Sequence, residues 1–259
     1  MSCFELMVAP TGARLSQADH PALPITQDEI VKTAVACEAA GATALHLHVR
    51  DRAGGHSLDT AAYTALVTEV QAKTSLALQI SSESAGLFDV PAQAACILSA
   101  PTPEVSASVR ELARNPAQAR ELYAQAQAKG IEIQHILYDA QDAVDLLRAY
   151  DAGLIPLGRR RVIFVLGRYS EGQTSVPADL DPFLTATQGA GLDWSLCAFG
   201  QNEQSCLLAG LEAGGQVRIG FENNTRAPDG TPLADNAASV ATFVNAAAAR
   251  GFHPRKASS

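Results

Sequence analysis

Two histidines stand two positions apart in an apolar run, Thr43-Ala-Leu-His-Leu-His-Val-Arg50. The composition of the run predicts a strand, and side chains at i and i+2 of a strand project to the same face. His46 and His48 would therefore bring two imidazoles together, which indicates a metal site. A pair of hydrogen-bonded core histidines is the alternative interpretation, because a metal site needs at least a third ligand.

A third ligand is available near the end of the chain. The segment Arg218-Ile-Gly-Phe-Glu-Asn-Asn224 closes a later apolar run, and its Glu222 is a carboxylate. Two imidazoles and one carboxylate leave an open position on zinc, as a catalytic site requires. Zinc there would polarise a carbonyl and stabilise an enolate or an oxyanion. Arg218, four positions before Glu222 on the predicted strand, would add a cation beside the metal; an interior salt bridge is its alternative role.

These residues must be positioned by a fold that gathers distant strand ends. Apolar or β-branched runs alternate with alanine-rich amphipathic stretches, the pattern of strands joined by crossover helices. Strands are predicted near 3–9, 43–49, 75–81, 104–108, 131–137, 161–166, 192–199 and 216–220. Helices are predicted near 27–40, 59–73, 91–98, 116–129, 140–151, 178–189, 202–213 and 235–250. This order predicts an α/β fold, a (β/α)8 TIM barrel forming one domain over residues 1–259, with a doubly wound sheet as the alternative.

The active site of such a barrel lies where strands end and the following loops begin. The third predicted strand ends in Gln79-Ile-Ser-Ser-Glu-Ser84, and the glycine-rich segment 166–174 after the sixth predicts a lid or a cofactor-contacting loop. His135 is a weaker site candidate, because it lies within the fifth predicted strand. The remaining histidines are expected to be exposed in loops or the tail: His20, His56 and His253.

Composition excludes several classes of partner. The net charge of −8 and the aromatic content of 5% disfavour a nucleic-acid surface. No run is long enough to span a bilayer and no signal peptide is recognisable, so a cytoplasmic protein with a small-molecule ligand is expected. The cysteines are scattered and lack the paired spacing of a zinc-binding motif. They are expected to be reduced thiols, most of them packed in the core: Cys3, Cys37, Cys96, Cys197 and Cys206.

The motifs resemble those of the β-keto acid cleavage enzyme family, whose founding activity cleaves 3-keto-5-aminohexanoate. The matching segments are Thr11-Gly-Ala, Asp19-His-Pro-Ala-Leu-Pro24, Gly41, His46-Leu-His-Val-Arg-Asp51, Phe164-Val-Leu-Gly167, residues 214–224 and Asp235-Asn-Ala237. The resemblance implies a zinc-dependent (β/α)8 barrel that condenses a β-keto acid with acetyl-CoA. The products would be acetoacetate and the CoA ester of the shortened acid. A homo-oligomer, dimer or tetramer, is implied as well.

The resemblance also implies roles for individual residues. His46, His48 and Glu222 match the zinc ligands of the family, Arg218 matches its catalytic arginine, and Ser81 matches a serine that contacts substrate.

Three positions depart from the family pattern. Arg14 stands where the founding member has a glutamate that binds the substrate amine, Ala107 where it has a substrate-contacting threonine, and Asn223 where it has the aspartate assigned as base. An asparagine cannot remove a proton at neutral pH, so Glu83 is the predicted replacement base. A surface carboxylate is the alternative role for Glu83.

The loss of two acidic positions predicts a pocket that does not select an amine. The expected substrate is a neutral or carboxylate-bearing β-keto acid, with Arg14 or Arg110 as anion partners and Ser81 and Ser82 as further substrate contacts. Two other functions share features with this sequence. A metal-dependent amidohydrolase also carries His-x-His, but usually on strand one and with further ligands that are missing here. Asn223 instead favours a metal-binding pseudoenzyme.

Overall fold

The computed structural model describes residues 2–156, 158 and 160–255. Within those ranges, eight parallel strands close into a barrel in which every strand pairs with its neighbours along the chain, and the last pairs with the first. The strands are β1 (Leu6–Val8), β2 (Ala44–Leu47), β3 (Ala77–Ser81), β4 (Glu104–Ser108), β5 (Glu132–Leu137), β6 (Arg161–Leu166), β7 (Asp193–Ala198) and β8 (Gln216–Ile219). The predicted (β/α)8 TIM barrel is confirmed.

A helix follows each strand and packs on the outside of the barrel. The helices are α1 (Gln27–Ala40), α2 (Thr60–Lys73), α3 (Val90–Leu98), α4 (Pro116–Ala128), α5 (Ala140–Asp151), α6 (Asp181–Ala186), α7 (Glu203–Glu212) and α8 (Asn236–Ala248). The predicted helix 178–189 is shorter in the structure, where a 3-10 turn, Pro177–Leu180, precedes α6. A one-turn helix, Val109–Leu112, precedes α4, and a 3-10 turn, Glu171–Gln173, lies in the loop after β6.

Side-chain capping explains where most helices begin. Thr26 and Glu29 form a capping box at the start of α1, satisfying two backbone N–H groups that the helix leaves free. The side chains of other N-cap residues accept from the first turns of α2, α3, α4, α5 and α8: Asp59, Asp89, Asn115, Asp139 and Asp235. The long βα loops that carry the site are thus held at their far ends by defined helix starts.

Two short pairings supplement the barrel. Ser2–Phe4 runs parallel to Phe252–Pro254, which ties the two ends of the described chain together. Val49–Arg50 pairs in antiparallel register with His56–Ser57 and folds the loop after β2 back on itself. None of the helices in the described ranges has both the length and the apolar character that a bilayer-spanning helix needs.

A buried arginine closes the amino-terminal end of the barrel. Arg161, the first residue of β6, forms ion pairs with Glu5, Glu104 and Asp193, which lie at or just before the starts of three other strands. Its side chain is only 5% exposed. The cluster lies at the opposite end of the strands from the histidine pair, which is the end where barrel residues serve stability.

Replacing Arg161 with alanine is expected to lower the free energy of unfolding by about 3–5 kcal/mol, because three carboxylates would lose a buried counter-charge. Urea unfolding followed by circular dichroism measures the change. Arg250→Ala is the control, since its ion pair with Glu212 is about half exposed and should contribute no more than about 1 kcal/mol. Equal losses in the two variants would contradict a stabilising role for the buried cluster.

Candidate metal centre

Three potential metal ligands converge at the carboxyl-terminal end of the barrel. His46 lies in β2, His48 is the first residue after this strand, and Glu222 lies in the turn after β8. The Nε2 atoms of the two histidines are 3.2 Å apart, and Glu222 Oε2 lies 3.3 Å from His48 Nε2 and 3.8 Å from His46 Nε2. One ligand atom from each residue lies within 4.8 Å of the others. The convergence expected from the i, i+2 spacing is therefore present.

Two glycines allow the chain to pack closely around Glu222. A Cβ on Gly12, whose φ is +65°, would come within 2.7 Å of Glu222 Cγ, and a Cβ on Gly220, whose φ is +131°, would meet the Ala9 carbonyl oxygen at 2.5 Å. Strand β8 ends at Ile219, so the expectation that Glu222 continues the strand is wrong. Gly220 turns the chain instead, and Glu222 reaches the histidines from the turn.

Arg218 stabilises the charge on Glu222. The guanidinium donates from one nitrogen to Glu222 Oε1 at 3.0 Å and to Cys197 Sγ at 3.4 Å, and the side chain is 4% exposed. Burial alone would raise the pKa of Glu222, but Arg218, followed by His48, holds it well below its ordinary value. Glu222 therefore remains an anion, as a metal ligand must. Its Oε2 atom has no hydrogen-bond partner among the described residues, which suits a ligand atom.

His46 presents an unprotonated nitrogen to the site. Its Nδ1 lies 2.7 Å from Gln79 Oε1, an acceptor, and a hydrogen on Nδ1 makes this contact a hydrogen bond and leaves the lone pair on Nε2. Burial, with the Arg218 guanidinium acting in the same direction, lowers the pKa of His46 to about 3. His46 is therefore neutral at physiological pH. A neutral imidazole with an oriented lone pair and a buried carboxylate form a donor set that fits a divalent metal ion.

A large cavity opens beside Glu222. It has a volume of about 420 Å³ and is lined by both charged signs, including Arg14, Glu83, Arg168, Glu222 and Arg226. A second cavity of about 20 Å³ lies against His46, Arg218 and Glu222, and shares Glu83, Arg168 and Glu222 with the larger one. The candidate metal centre thus lies at the base of a space large enough for a small-molecule ligand.

Glu83 faces both cavities. Its side chain is 15% exposed, and Arg14 lies 3.7 Å from Glu83 Oε1 with a side chain that is 51% exposed. Burial raises the pKa of Glu83 above its ordinary value, although His48 and Arg14 act in the opposite direction. Glu83 is therefore a partly desolvated carboxyl within the site, rather than the surface carboxylate of the alternative interpretation.

Asn223 lines the large cavity with an amide that the protein leaves free. It is 5% exposed, and neither its Oδ1 nor its Nδ2 has a hydrogen-bond partner within the described part of the chain. Its backbone is fixed, because its N–H donates to the Gly220 carbonyl at 2.8 Å and its own carbonyl accepts from Gly200 at 3.3 Å. A buried donor and acceptor facing a cavity are suited to hold a polar ligand.

The other predicted substrate contacts differ in their surroundings. Ser81 lines the small cavity, whereas the Ser82 hydroxyl donates to the Ser106 carbonyl at 2.8 Å and lines neither cavity. Arg110 is held by Asp139 at 2.8 Å and Asp142 at 2.7 Å and also lines neither cavity. The loop 166–174 contributes Arg168, Gly172, Gln173 and Thr174 to the rim of the large cavity.

The other histidines are placed differently from the sequence-based expectation. His20 and His56 are buried, at 7% and 6% exposed, so the expectation of surface exposure is wrong for both. His56 Nε2–H donates to the Glu83 carbonyl at 2.7 Å, and burial lowers the pKa of His56 to about 4. This neutral donor fixes the backbone of Glu83. Sequence reasoning missed it, because only the antiparallel pairing with Arg50 turns His56 inward.

His135, the weaker candidate, lies away from the site. Its Nε2 is 3.1 Å from the Tyr123 hydroxyl on α4, and it lines a separate cavity of about 230 Å³ with Tyr123 and Tyr150. The side chain therefore points outward from β5, toward the helices.

The fold and the site define a class: parallel α/β barrels with a His, His, Glu group at the carboxyl ends of the strands. Comparison with known proteins narrows the class to a family. The sequence profile of the β-keto acid cleavage enzymes matches residues 5–259, and the chain belongs to this family.

Three relatives with named reactions are 24–26% identical to this chain. The 3-oxoadipate:acetyl-CoA acetyltransferase of Cupriavidus necator is 26% identical over 91% of this chain and 85% of its own length. The 3-dehydrocarnitine:acetyl-CoA trimethylamine transferase of Rhizobium meliloti is 24% identical, over 94% and 89%. The 3-keto-5-aminohexanoate cleavage enzyme of Acetoanaerobium sticklandii is also 24% identical, over 93% and 90%.

Among solved structures, apo ObcA superimposes with a TM-score of 0.70 at 15% identity. The match covers 92% of this chain but only 64% of ObcA, so the chain spans less than two thirds of that protein. At this identity the likeness concerns the fold alone.

Proposed function

We propose that this protein is a zinc-dependent transferase that condenses a β-keto acid with acetyl-CoA and releases acetoacetate and a new acyl-CoA. The observation that carries the proposal is the convergence of His46, His48 and Glu222 at the base of the cavity, in a chain of the β-keto acid cleavage enzyme family. The three relatives above are named for reactions with acetyl-CoA or for keto-acid cleavage, which supports the same chemistry here.

His46, His48 and Glu222 would hold the zinc ion. Zinc, when bound, supplies a Lewis acid for the keto carbonyl of the substrate. Arg218 fulfils two functions in this proposal. It keeps Glu222 ionised, and its guanidinium at the small cavity stabilises negative charge that develops on the substrate oxygen.

Glu83 is the proposed base. It removes a proton from the carbon between the two carbonyl groups of the β-keto acid. Its raised pKa makes it a stronger base than an exposed glutamate, and the His56 bond to its backbone keeps it beside the substrate. Asn223 cannot serve as a base, but its free amide can donate to a substrate oxygen and accept from a substrate donor.

The proposed reaction first forms and then breaks a carbon–carbon bond. The enolate formed by loss of the proton to Glu83 attacks the thioester carbonyl of acetyl-CoA and expels the CoA thiolate. The thiolate then attacks the original keto carbonyl. The bond between that carbon and the former α-carbon breaks, which gives the acyl-CoA and the enolate of acetoacetate. Glu83 returns its proton to this enolate, so no oxidant or further reactant is required.

The cavity favours a substrate with a second carboxylate. Arg14, Arg168 and Arg226 contribute positive charge around the larger cavity, and Arg14 is half exposed at 3.7 Å from Glu83. A distal carboxylate would therefore meet arginine at the mouth while the keto acid group lies at the base. The relative from Cupriavidus necator is named for 3-oxoadipate, a β-keto acid of this type.

Arg14→Met is expected to lower kcat/KM for a dicarboxylic β-keto acid about 10–100-fold relative to an aliphatic one, because a charged hydrogen bond is lost. The ratio between the two substrates is the measured quantity, since it cancels any effect of Arg14 on Glu83. Arg14→Lys keeps the charge and should keep most of the preference. An unchanged ratio in Arg14→Met would show that Arg14 does not contact the substrate.

A substrate panel tests the proposed function. Amino, aliphatic and dicarboxylic β-keto acids are incubated with the protein, with and without acetyl-CoA, and acetoacetate and acyl-CoA are measured by mass spectrometry. The proposal expects both products, only when acetyl-CoA is present, and best from the dicarboxylic acids. Consumption of the acid without acetyl-CoA would instead indicate a hydrolase, and bound zinc with no product from any acid would indicate a pseudoenzyme.

A further inference from the structure

A line of polar side chains crosses the interior of the barrel from the metal centre. Gln79 of β3 accepts from His46 Nδ1 at 2.7 Å and donates through Nε2 to Gln134 Oε1 of β5 at 3.0 Å. Gln134 Nε2 in turn donates to the Ser195 hydroxyl of β7 at 3.1 Å. These residues are between 0% and 7% exposed, and apolar side chains such as Ile163 and Val165 also occupy the interior.

The line ends on a group that can only accept. Gln134 Nε2 also approaches the Val162 carbonyl oxygen at 3.4 Å, and the Ser195 hydroxyl donates to the same oxygen at 3.3 Å. A backbone carbonyl has no proton to donate. In the structure Gln134 turns its NH₂ group toward Val162 and donates to the Ser195 hydroxyl as well, while Ser195 donates to the Val162 carbonyl. The reversed amide would place two acceptors, Gln134 Oε1 and the Val162 carbonyl oxygen, 3.4 Å apart in a buried site.

Each bond of the line then fixes the direction of the next. With its NH₂ group toward Val162, Gln134 presents Oε1 to Gln79, which must turn its own NH₂ group toward Gln134. Gln79 consequently presents Oε1 to His46, and only the tautomer with hydrogen on Nδ1 can donate to it. The alternative tautomer would place two acceptors 2.7 Å apart in a buried site.

We propose that Gln79 and Gln134 are positioning residues that set the tautomer of His46 from the far wall of the barrel, so that Nε2 keeps a lone pair for the metal. The inference rests on the proposed function only in taking His46 as a metal ligand. His48 has no comparable support, because its Nδ1 is buried with no partner among the described residues. A hydrogen-bond partner on Nδ1 thus orients the ring of His46, whereas His48 has none among those residues.

Gln79 and Gln134 thereby contribute to metal binding although neither is a proposed ligand. A barrel interior is ordinarily filled with branched apolar side chains, and each buried amide must be hydrogen-bonded to avoid a loss of stability. Here every amide in the line is hydrogen-bonded, and the bonds run in one direction, from Gln79 through Gln134 to the Val162 carbonyl. Such a line can be replaced by apolar residues of the same length without leaving a cavity.

Gln79→Met and Gln134→Met are the test variants, since methionine has nearly the length of glutamine and lacks the amide. Zinc dissociation constants are measured by competition with a chromogenic chelator. Gln79→Met is expected to raise the constant about 10–100-fold, as loss of an outer hydrogen-bond partner does, and Gln134→Met about tenfold although it touches no ligand. Nitrogen-15 NMR of the metal-free protein should show His46 with hydrogen on Nδ1 in the wild type and a mixture of tautomers in both variants.

Val105→Ala is the control, because it weakens the apolar packing of β4 in a cluster that contains none of the polar side chains of the line. It should lower the melting temperature and leave both zinc affinity and the His46 tautomer unchanged. Wild-type zinc affinity and tautomer in Gln134→Met would overturn the proposal; should that variant not fold, an unchanged tautomer in Gln79→Met would do the same. His46→Ala distinguishes failure of the proposed metal centre from failure of the proposed role of the two glutamines. If His46→Ala binds zinc normally, the proposed metal centre is wrong. If His46→Ala loses zinc but both methionine variants bind it normally, only the proposed role of Gln79 and Gln134 is refuted.

Discussion

Glu83→Gln is expected to lower kcat about 10²–10⁴-fold while the zinc content and the KM for acetyl-CoA remain close to those of the wild type. The substitution preserves size and hydrogen bonding but removes the group that takes the proton. The Glu83 backbone bond to His56 does not depend on the side chain, so the loop should keep its position. Steady-state kinetics with the best acid of the panel, together with metal analysis, measures the effect.

Exchange of the substrate α-proton identifies the step. In deuterated water, the wild type should exchange this proton without acetyl-CoA, and Glu83→Gln should not. Asn223→Asp, introduced into Glu83→Gln, adds a carboxylate facing the same cavity and is expected to restore part of the exchange. If Glu83→Gln exchanges the proton as fast as the wild type, Glu83 is not the base.

His48→Ala and Glu222→Gln are each expected to weaken zinc binding by at least about 100-fold, which exceeds the loss typical of an outer hydrogen-bond partner. Each variant removes one of three ligand atoms that lie within 4.8 Å of one another. Glu222→Gln also leaves the buried Arg218 without its carboxylate at 3.0 Å. Purified variants should therefore contain little zinc by mass spectrometry and produce no acetoacetate.

His135→Gln is the matched control for these ligand variants. His135 is also a buried barrel histidine, with a pKa that burial lowers to about 4, but it bonds Tyr123 on the outside of β5. Its replacement should leave the zinc content at the wild-type level. A wild-type zinc content in His48→Ala or Glu222→Gln would remove that residue from the ligand set.

The sequence predicted the barrel because its signals are local. Alternating apolar and amphipathic runs placed the strands within three residues of their observed ends, and β4 and β6 agree with the predicted bounds. The histidine pair could be recognised because the strand period alone makes two imidazoles converge. Glu222 could be chosen because strand ends of a barrel meet at one face, although the turn at Gly220, rather than the strand, delivers it.

What sequence reasoning missed depends on contacts between distant strands. Gln79 and Gln134 meet because of the stagger between β3, β4 and β5. Neither strand's own sequence indicates a partner 55 positions away. The available signal was a glutamine between two apolar residues in β3, where Gln79 lies between Leu78 and Ile80. His56 turns inward through a two-residue pairing that is too short to predict. The carboxylates that hold Arg110 are the N-cap of α5 and a residue of its first turn, Asp139 and Asp142, so nothing in the sequence indicated that the arginine is paired.

Zinc dependence of acetoacetate formation tests the central claim most directly. The protein is assayed with acetyl-CoA and a dicarboxylic β-keto acid as purified, after removal of metal by a chelator, and after reloading with one equivalent of zinc. The proposed function predicts that acetoacetate and acyl-CoA form in equal amounts, that formation stops on chelation, and that zinc restores it. Turnover that survives complete removal of metal, or that proceeds without acetyl-CoA, would contradict it.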